Sequence, residues 1–326
     1  MSAVDGESPQ EGVWTVGTRR SALATTQTRQ ILERLRRLRG DVSFAVREIV
    51  TRGDRIQDVP LAEVGGKGLF ISELEAALAE GRIDFAVHSM KDVPAQLAPG
   101  LLIAAVPARE DARDVLISRA GYTVLTLPAN ALVGTSSLRR SVQLRRLRSD
   151  LRILPLRGNI DTRLRKLAGL DAIVLAAAGL RRMEWWTGGT ALAGQEEARV
   201  VPIAVSDMVP AAGQGALAVE CREDDARLRE LLGLLHDANT AACVAAERAF
   251  LDAVGGSCQV PVGAHAIFAD DGRALRLTAL VGAPDGSAAI RETLSGADPF
   301  ALGRAAAKRV LEQGGAELLK RWEERA

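Results

Sequence analysis

A seven-residue run, HSMKDVP from His88 to Pro94, sets a hydroxyl, an ammonium and a carboxylate ahead of a proline. At what reads as a strand end, such a carboxylate can stabilise a developing cation or move a proton. Taken alone, Lys91 and Asp92 also fit an exposed turn pair. A second run, TSSLRR from Thr135 to Arg140, adds three hydroxyls and two guanidiniums to a predicted helix N-terminus. That terminus presents unpaired backbone N–H groups, and arginine's planar fork grips both oxygens of a carboxylate. LRGNIDTR, Leu156 to Arg163, supplies Arg157 and Arg163 around another turn, and GLRR adds Arg181 and Arg182 after a strand. Three arginine-bearing turns suit a ligand with several carboxylates or phosphates. Arg145, Arg146 and Arg148 lie past the turn and read as a solvated face. A third feature, GGSCQVPVG from Gly255 to Gly263, keeps a thiol, Cys258, in a glycine-rich turn where backbone can bend around something.

These residues need strand ends and helix starts to hold them. Residues 14–17 read as a strand, and Thr18 or Ser21 caps a helix to about Arg39 with Leu23, Ile31, Leu35 and Leu38 on one side. Strands are predicted over 44–50, 84–88, 102–106, 131–134, 151–155, 172–176 and 216–220. Helices are predicted over 72–80, over 161–168, and from Ser136 or Ser137 to Leu147. TRGDRIQDVPLAEVGGKGLF, residues 51–70, reads as a long mobile loop, and 183–200 as an exposed insertion. GGKGLF lacks the spacing of a phosphate loop, so nucleotide binding is rejected. After about Ala238 come an alanine-rich helix to Val254, strands over 264–268 and 275–281, and a helix over 299–313. The alternation predicts two α/β units with mostly parallel sheets and an α+β third. VGTRRS (Val16 to Ser21) and VGTSSLRRS (Val133 to Ser141) form a short internal echo, as two similar units facing one cleft would show.

The chain has 326 residues, more than one hydrophobic core usually serves. Apolar residues make up 47% and charged residues 25%, and no apolar run approaches the roughly 18 residues of a spanning helix. The first dozen residues are polar and acidic, unlike a signal peptide, and read as a disordered leader on a cytosolic protein. Three cysteines without a CxxC pair, and three histidines, make a disulfide framework or a metal site unexpected. A net charge of +1 and 3% aromatic residues argue against nucleic-acid binding. Between Arg139 and Lys166, however, ten Arg or Lys face only Asp150 and Asp161, which marks a solvated face or an anion site.

Together these pieces resemble the porphobilinogen deaminase (hydroxymethylbilane synthase) family of tetrapyrrole biosynthesis. The matching motifs, in chain order, are GTRRSALATTQ, VTRGD, VGGKGLF, AVHSMKDVP, VGTSSLRRS, LRGNIDTRL, DAIVLAAAGL, AAGQGALAVECR, ERAFL and GSCQVPVG. The resemblance implies two α/β domains like periplasmic binding proteins, with a cleft between them, plus a smaller α+β C-terminal domain. The corresponding boundaries are a leader over 1–12, then 13–108 with 211–233, 113–209, and 238–326. It also implies an enzyme that deaminates four porphobilinogen molecules and joins them head to tail. They would grow on a dipyrromethane primer held by a thioether to Cys258, with hydroxymethylbilane and ammonia released. Asp92 would be catalytic. Ser89, Lys91, Thr135, Ser137, Arg139, Arg140, Arg157 and Gly158 would hold the cofactor. Arg19, Gln27, Arg157, Arg163, Arg182 and Gln214 would bind substrate, with Gln214 at a domain crossover. Lys67 and Phe70 would lie on a lid loop. No metal is implied, nor a nucleic-acid or membrane partner, and the family is monomeric. Glu63, where relatives often carry lysine, and Ser257, which intervenes before Cys258, depart from the family pattern. A polyanion-binding protein without turnover would explain the arginines but not Asp92 together with Cys258.

Overall fold

The computed structural model describes residues 12–55, 71–255, 260–269, 272–283 and 285–323. Strand β1 (Val13–Arg19) runs parallel to β2 (Ser43–Ile49) along its length, and to β3 (Phe85–Ser89) at Val16 and Gly17. Between β1 and β2 lies α1 (Ala22–Leu38), whose first turn is capped by Ser21 Oγ accepting from the Ala24 N–H at 3.3 Å. Its buried residues Ala24, Gln27, Thr28, Ile31, Leu32 and Leu35 recur at helical spacing. The turn α2 (Arg52–Arg55), helix α3 (Ser72–Ala79) and β4 (Leu101–Ala105) complete this run of chain.

The chain then builds a second sheet from β5 (Asp114–Ser118), β6 (Leu132–Gly134), β7 (Arg152–Leu154), β8 (Ala172–Ala176) and β9 (Arg199–Pro202). Helices α4 (Leu138–Leu147), α5 (Ile160–Arg165) and α6 (Ala177–Arg182) belong to this part. Strand β10 (Leu217–Arg222) returns to the first sheet and runs antiparallel between β3 and β4. The sheet orders are β2-β1-β3-β10-β4 and β7-β6-β8-β5-β9. These are one topology used twice. In each sheet the second strand pairs parallel to both neighbours, and the fourth pairs antiparallel to both. The internal echo sits at the same place in both, with Gly17 in β1 and Gly134 in β6. A Cβ on Gly17 would meet Leu74 and Ile83, and one on Gly134 would meet Leu156, Leu170 and Ile173.

The expectation of mostly parallel sheets is corrected to mixed sheets. In each, the fourth strand (β10 or β5) arrives from a chain crossing between the sheets and so runs the opposite way. The exposed-insertion reading of 183–200 is also corrected. Trp186, Leu192, Ala198 and Val200 are buried with Leu180 and Ile173, and β9 pairs along β5. Its apolar residues cover the end of the second core, which polar composition elsewhere in the segment obscured.

The C-terminal part is α+β. Strands β11 (Val262–Phe268), β12 (Leu275–Gly282) and β13 (Ala289–Gly296) form an antiparallel meander. Helices α8 (Ala238–Ala253) and α9 (Pro299–Val310) share its core through Phe250, Leu277, Val281, Leu302 and Val310. Before them lies α7 (Ala226–Gly233), and α10 (Ala316–Glu323) ends the described chain. Thus two α/β parts of like topology and a smaller α+β part make up the fold, the class expected from sequence.

One buried carboxylate fastens these parts together. Glu247 on α8 accepts from both Arg109 Nη atoms, at 2.6 and 3.1 Å, from the Gly213 N–H at 2.7 Å and from the Ala266 N–H at 2.8 Å. Arg109 and Gly213 lie on the two crossings between the sheets, and Ala266 lies on β11. Burial alone would raise the Glu247 carboxyl, but Arg109 and His265 hold it down at about 2. No helix among the described residues is long and apolar enough to cross a membrane.

Candidate active site

A cleft of about 540 Å³ opens where β1, β3 and β8 end. From the first sheet it takes Arg19, Arg20, Ser89, Lys91 and Asp92; from the second, Arg140, Arg157, Gly158, Arg163 and Arg182. The HSMKDVP run turns sharply to do this. Beyond β3 the chain makes a single 3-10 turn over Met90–Asp92. Met90 is buried, and its N–H donates to the Ala216 carbonyl at 3.0 Å, so its neighbours Ser89, Lys91 and Asp92 face the cleft. Lys91 and Asp92 are therefore a half-buried pair on the cleft wall, not an exposed turn. Gln27 on α1 is buried, and its Nε2 donates to Ser89 Oγ at 3.2 Å.

The electrostatics are one-sided. Among the described residues, seven cations line the cleft (Arg19, Arg20, Lys91, Arg140, Arg157, Arg163 and Arg182) against two carboxylates, Asp92 and Asp161. Burial pushes the Arg163 and Arg182 guanidiniums down to about 10, with Arg140 adding to the effect on Arg163. Burial also pushes the Lys91 ammonium down, offset in part by Asp92. The Arg163 Nε donates to the Gly158 carbonyl at 2.7 Å, and Arg182 Nη2 to the Gly215 carbonyl at 2.6 Å, which aims both side chains. Gly158 has a φ of +108°, and a Cβ there would meet Thr162.

Behind this wall stands a buried carboxylate that sequence reasoning missed. Asp114, at the start of β5, is fully buried. It accepts from Arg139 Nη1 at 2.7 Å, Arg140 Nε at 3.0 Å and Gln214 Nε2 at 3.0 Å. Burial alone would raise its carboxyl, but Arg139 and Arg140 hold it well below the usual carboxylate range. Gln214 also accepts at its backbone carbonyl from Arg109 Nε at 2.8 Å, which joins this cluster to the one around Glu247. In sequence Asp114 is one of five charged residues in AREDARD, Ala108 to Asp114, and nothing in the spacing singles it out.

Of the residues expected at the site, Arg19, Gln27, Ser89, Lys91, Asp92, Arg140, Arg157, Gly158, Arg163, Arg182 and Gln214 meet around the cleft. Thr135, Ser137 and Arg139 stand behind Arg140. Thr135 Oγ1 accepts from the Ser137 N–H at 3.1 Å, and Ser137 Oγ caps α4 through the Arg140 N–H at 3.5 Å. Lys67, Phe70 and Cys258 lie outside the described residues, as do Glu63 and Ser257. Arg20, Met183 and Trp185 line the cleft as well. Only Arg20 carried a signal, as half of the arginine pair in VGTRRS.

Two family models match the chain. One, described as "Porphobilinogen deaminase, dipyromethane cofactor binding domain", covers residues 14–230. The chain belongs to the porphobilinogen deaminase family. The second model, the C-terminal domain of porphobilinogen deaminase, covers residues 241–312. The porphobilinogen deaminase of Geobacillus sp. (strain WCH70) is 51% identical over 311 residues, 95% of this chain and 97% of that one. That of Geobacillus kaustophilus is 53% identical over 308 residues, 94% and 96%. Among solved structures, the substrate binding domain of a putative molybdenum ABC transporter from Clostridium difficile aligns with a TM-score of 0.41 and 9% identity, over 70% of this chain and 93% of that one.

The residues present fit the family's polycarboxylate cofactor. Arg157 Nη1 is buried on the cleft side and finds no acceptor among the described residues, so it is a donor that a ligand oxygen would satisfy. Among the described residues, no group of three or more His, Cys, Asp or Glu is placed to hold a metal ion.

Proposed function

We propose that this porphobilinogen deaminase family member is a transferase that deaminates porphobilinogen and joins four copies head to tail, losing one ammonia per porphobilinogen and releasing hydroxymethylbilane by hydrolysis with water. The observation that carries the reading is the cleft in which seven cations surround the Asp92 turn. A porphobilinogen ring carries an acetate and a propionate, so each addition brings two more negative charges into the cleft. Arg140, Arg157 and Lys91, with Ser89 and the Gly158 backbone, hold the carboxylates of the dipyrromethane. Thr135, Ser137 and Arg139 fix Arg140 from behind. Arg19, Arg163 and Arg182 take the arms of the incoming substrate. When bound, through a thioether to Cys258, the dipyrromethane supplies the free pyrrole α-carbon at which the product chain grows.

Ammonia loss from porphobilinogen develops positive charge on the pyrrole nitrogen. A fixed carboxylate beside that N–H lowers the barrier, because it is already oriented and is worth more in a cleft than in water. Asp92 takes this role, and Gln27 holds the Ser89 hydroxyl beside it. Gln214 ties the crossings between the sheets to the Asp114 cluster. The enzyme works as a monomer in the cytoplasm. The test is an intact mass of the purified protein, with peptide mapping around Cys258, before and after incubation with porphobilinogen. The expected result is the added mass of two linked pyrroles on Cys258. A Cys258 that stays unmodified under both conditions would leave a polyanion binder instead.

A further inference from the structure

The segment after α6 has no part in the chemistry above, yet it is built with care around two adjacent tryptophans. Helix α6 ends in a turn at Glu184, whose φ of +59° is the left-handed region that a side chain with a Cβ seldom adopts. The Glu184 N–H donates to the Arg181 carbonyl at 2.9 Å, and the Trp185 N–H reaches back to Leu180 at 2.9 Å. This reversal buries one indole and leaves the other partly open. Trp186 goes into the second core at 3% exposure. Its Nε1 donates to the Gly189 carbonyl at 3.0 Å, and the Arg181 guanidinium lies 5.7 Å from its ring centroid. Arg181 is held in turn by Glu110 at 2.7 Å. Trp185 is half-buried: it packs against the edge of the same core and also lines the cleft. The following loop doubles back so that the Ala193 N–H donates to the Trp185 carbonyl at 2.8 Å. The insertion is thus a buttress that fixes one indole on the cleft wall. The same cleft is lined by the apolar Leu23, Ile160, Ala178 and Met183 as well as by its arginines, Arg182 among them.

A cleft made only of guanidiniums would bind any polyanion. A pyrrole ring also has a flat, electron-rich face with acidic arms on its edge. We propose that Trp185 is the residue that reads this face: the ring of porphobilinogen packs on the Trp185 indole while neighbouring arginines take its carboxylates. The assignment rests on the porphobilinogen reading above. It makes Trp185 a substrate-positioning and specificity-determining residue, and it gives the 183–200 segment its purpose.

The test uses the full-length protein with Trp185→Ala and Trp185→Phe, in two measurements. The first is steady-state kcat and KM for porphobilinogen. Loss of one aromatic face should raise KM about tenfold in Trp185→Ala, and Trp185→Phe should restore it to within about threefold. The second is iodide quenching of tryptophan fluorescence with and without porphobilinogen. Substrate should shield an indole in the unsubstituted protein, and this shielding should vanish in Trp185→Phe. An unchanged KM in Trp185→Ala overturns the proposal. So does shielding that persists in Trp185→Phe, which also decides the matter if Trp185→Ala fails to fold. If the unsubstituted protein turns over porphobilinogen and the variants behave alike, only the role of Trp185 falls. If the unsubstituted protein does not turn it over, the functional reading falls with it.

Discussion

Glu247→Gln should loosen the whole molecule, because this one carboxylate is shared by both crossings and the C-terminal sheet. The substitution keeps the size of the side chain and removes its charge. Arg109, whose side chain is 12% exposed, then loses its anionic partner. The new amide group must also point its own hydrogens at a guanidinium or at the N–H of Gly213 or Ala266, all of them donors. Breaking a buried pair by removing one partner costs about 3–5 kcal/mol. At roughly 2–4 °C per kcal/mol for a chain of this size class, the melting temperature should fall by about 10 °C. The pH dependence gives a second reading. The Glu247 carboxyl is held at about 2 against an ordinary value of 4.5. Its contribution is therefore fully present above 4.5 and is lost as pH falls toward 2, so the stability gap should narrow over that window. Circular-dichroism melts of both proteins between pH 7 and pH 3 measure this. A Glu247→Gln protein melting within about 2 °C of the parent at pH 7 would refute the assignment of this cluster as the fastening point.

Further expectations concern the site. Asp92→Asn should retain the added mass on Cys258 while kcat falls by about 10²–10³, measured by product formation in the preloaded protein. Because seven cations line the cleft, KM for porphobilinogen should rise several-fold between low and high salt while kcat changes little. Cys221 and Cys243 are buried, and burial pushes both thiols up to about 11. Iodoacetamide at pH 8 should therefore spare both in the native protein. After denaturation it should add two groups rather than three if the proposed thioether occupies Cys258; three would contradict the thioether.

Chemistry was more legible in the sequence than layering. The HSMKDVP and TSSLRR runs place strand ends, a turn and a capped helix within a few residues, so the chemistry of Ser89, Asp92 and Arg140 was legible locally, while the cleft they share is made by the fold. The capping by Ser21 and Ser137 was legible for the same reason. Asp114 was not, because its partners Arg139, Arg140 and Gln214 lie 25, 26 and 100 residues away and only the fold joins them. Strands β5 and β9 were hidden likewise, since their pairing comes from a crossing of the chain. The exposed reading of Lys91 and Asp92 failed because the burial of Met90 between Ser89 and Lys91 comes from tertiary packing. Trp185 gave no signal beyond its neighbour's bulk, since only the left-handed turn at Glu184 separates the fates of the two indoles.

The repeated strand order has a consequence for how the protein is made. The second sheet uses only residues between Asp114 and Pro202, so a ribosome has supplied all its strands while β10 is still unmade. The first sheet cannot join β4 to β3 until Leu217–Arg222 emerges to lie between them. The part begun first is therefore finished second, and β1 to β4 must wait with an open edge through the synthesis of more than a hundred residues. A nascent chain arrested just past Pro202 should hold a protease-resistant second sheet beside a sensitive amino-terminal segment, and one arrested well past Arg222 should protect both.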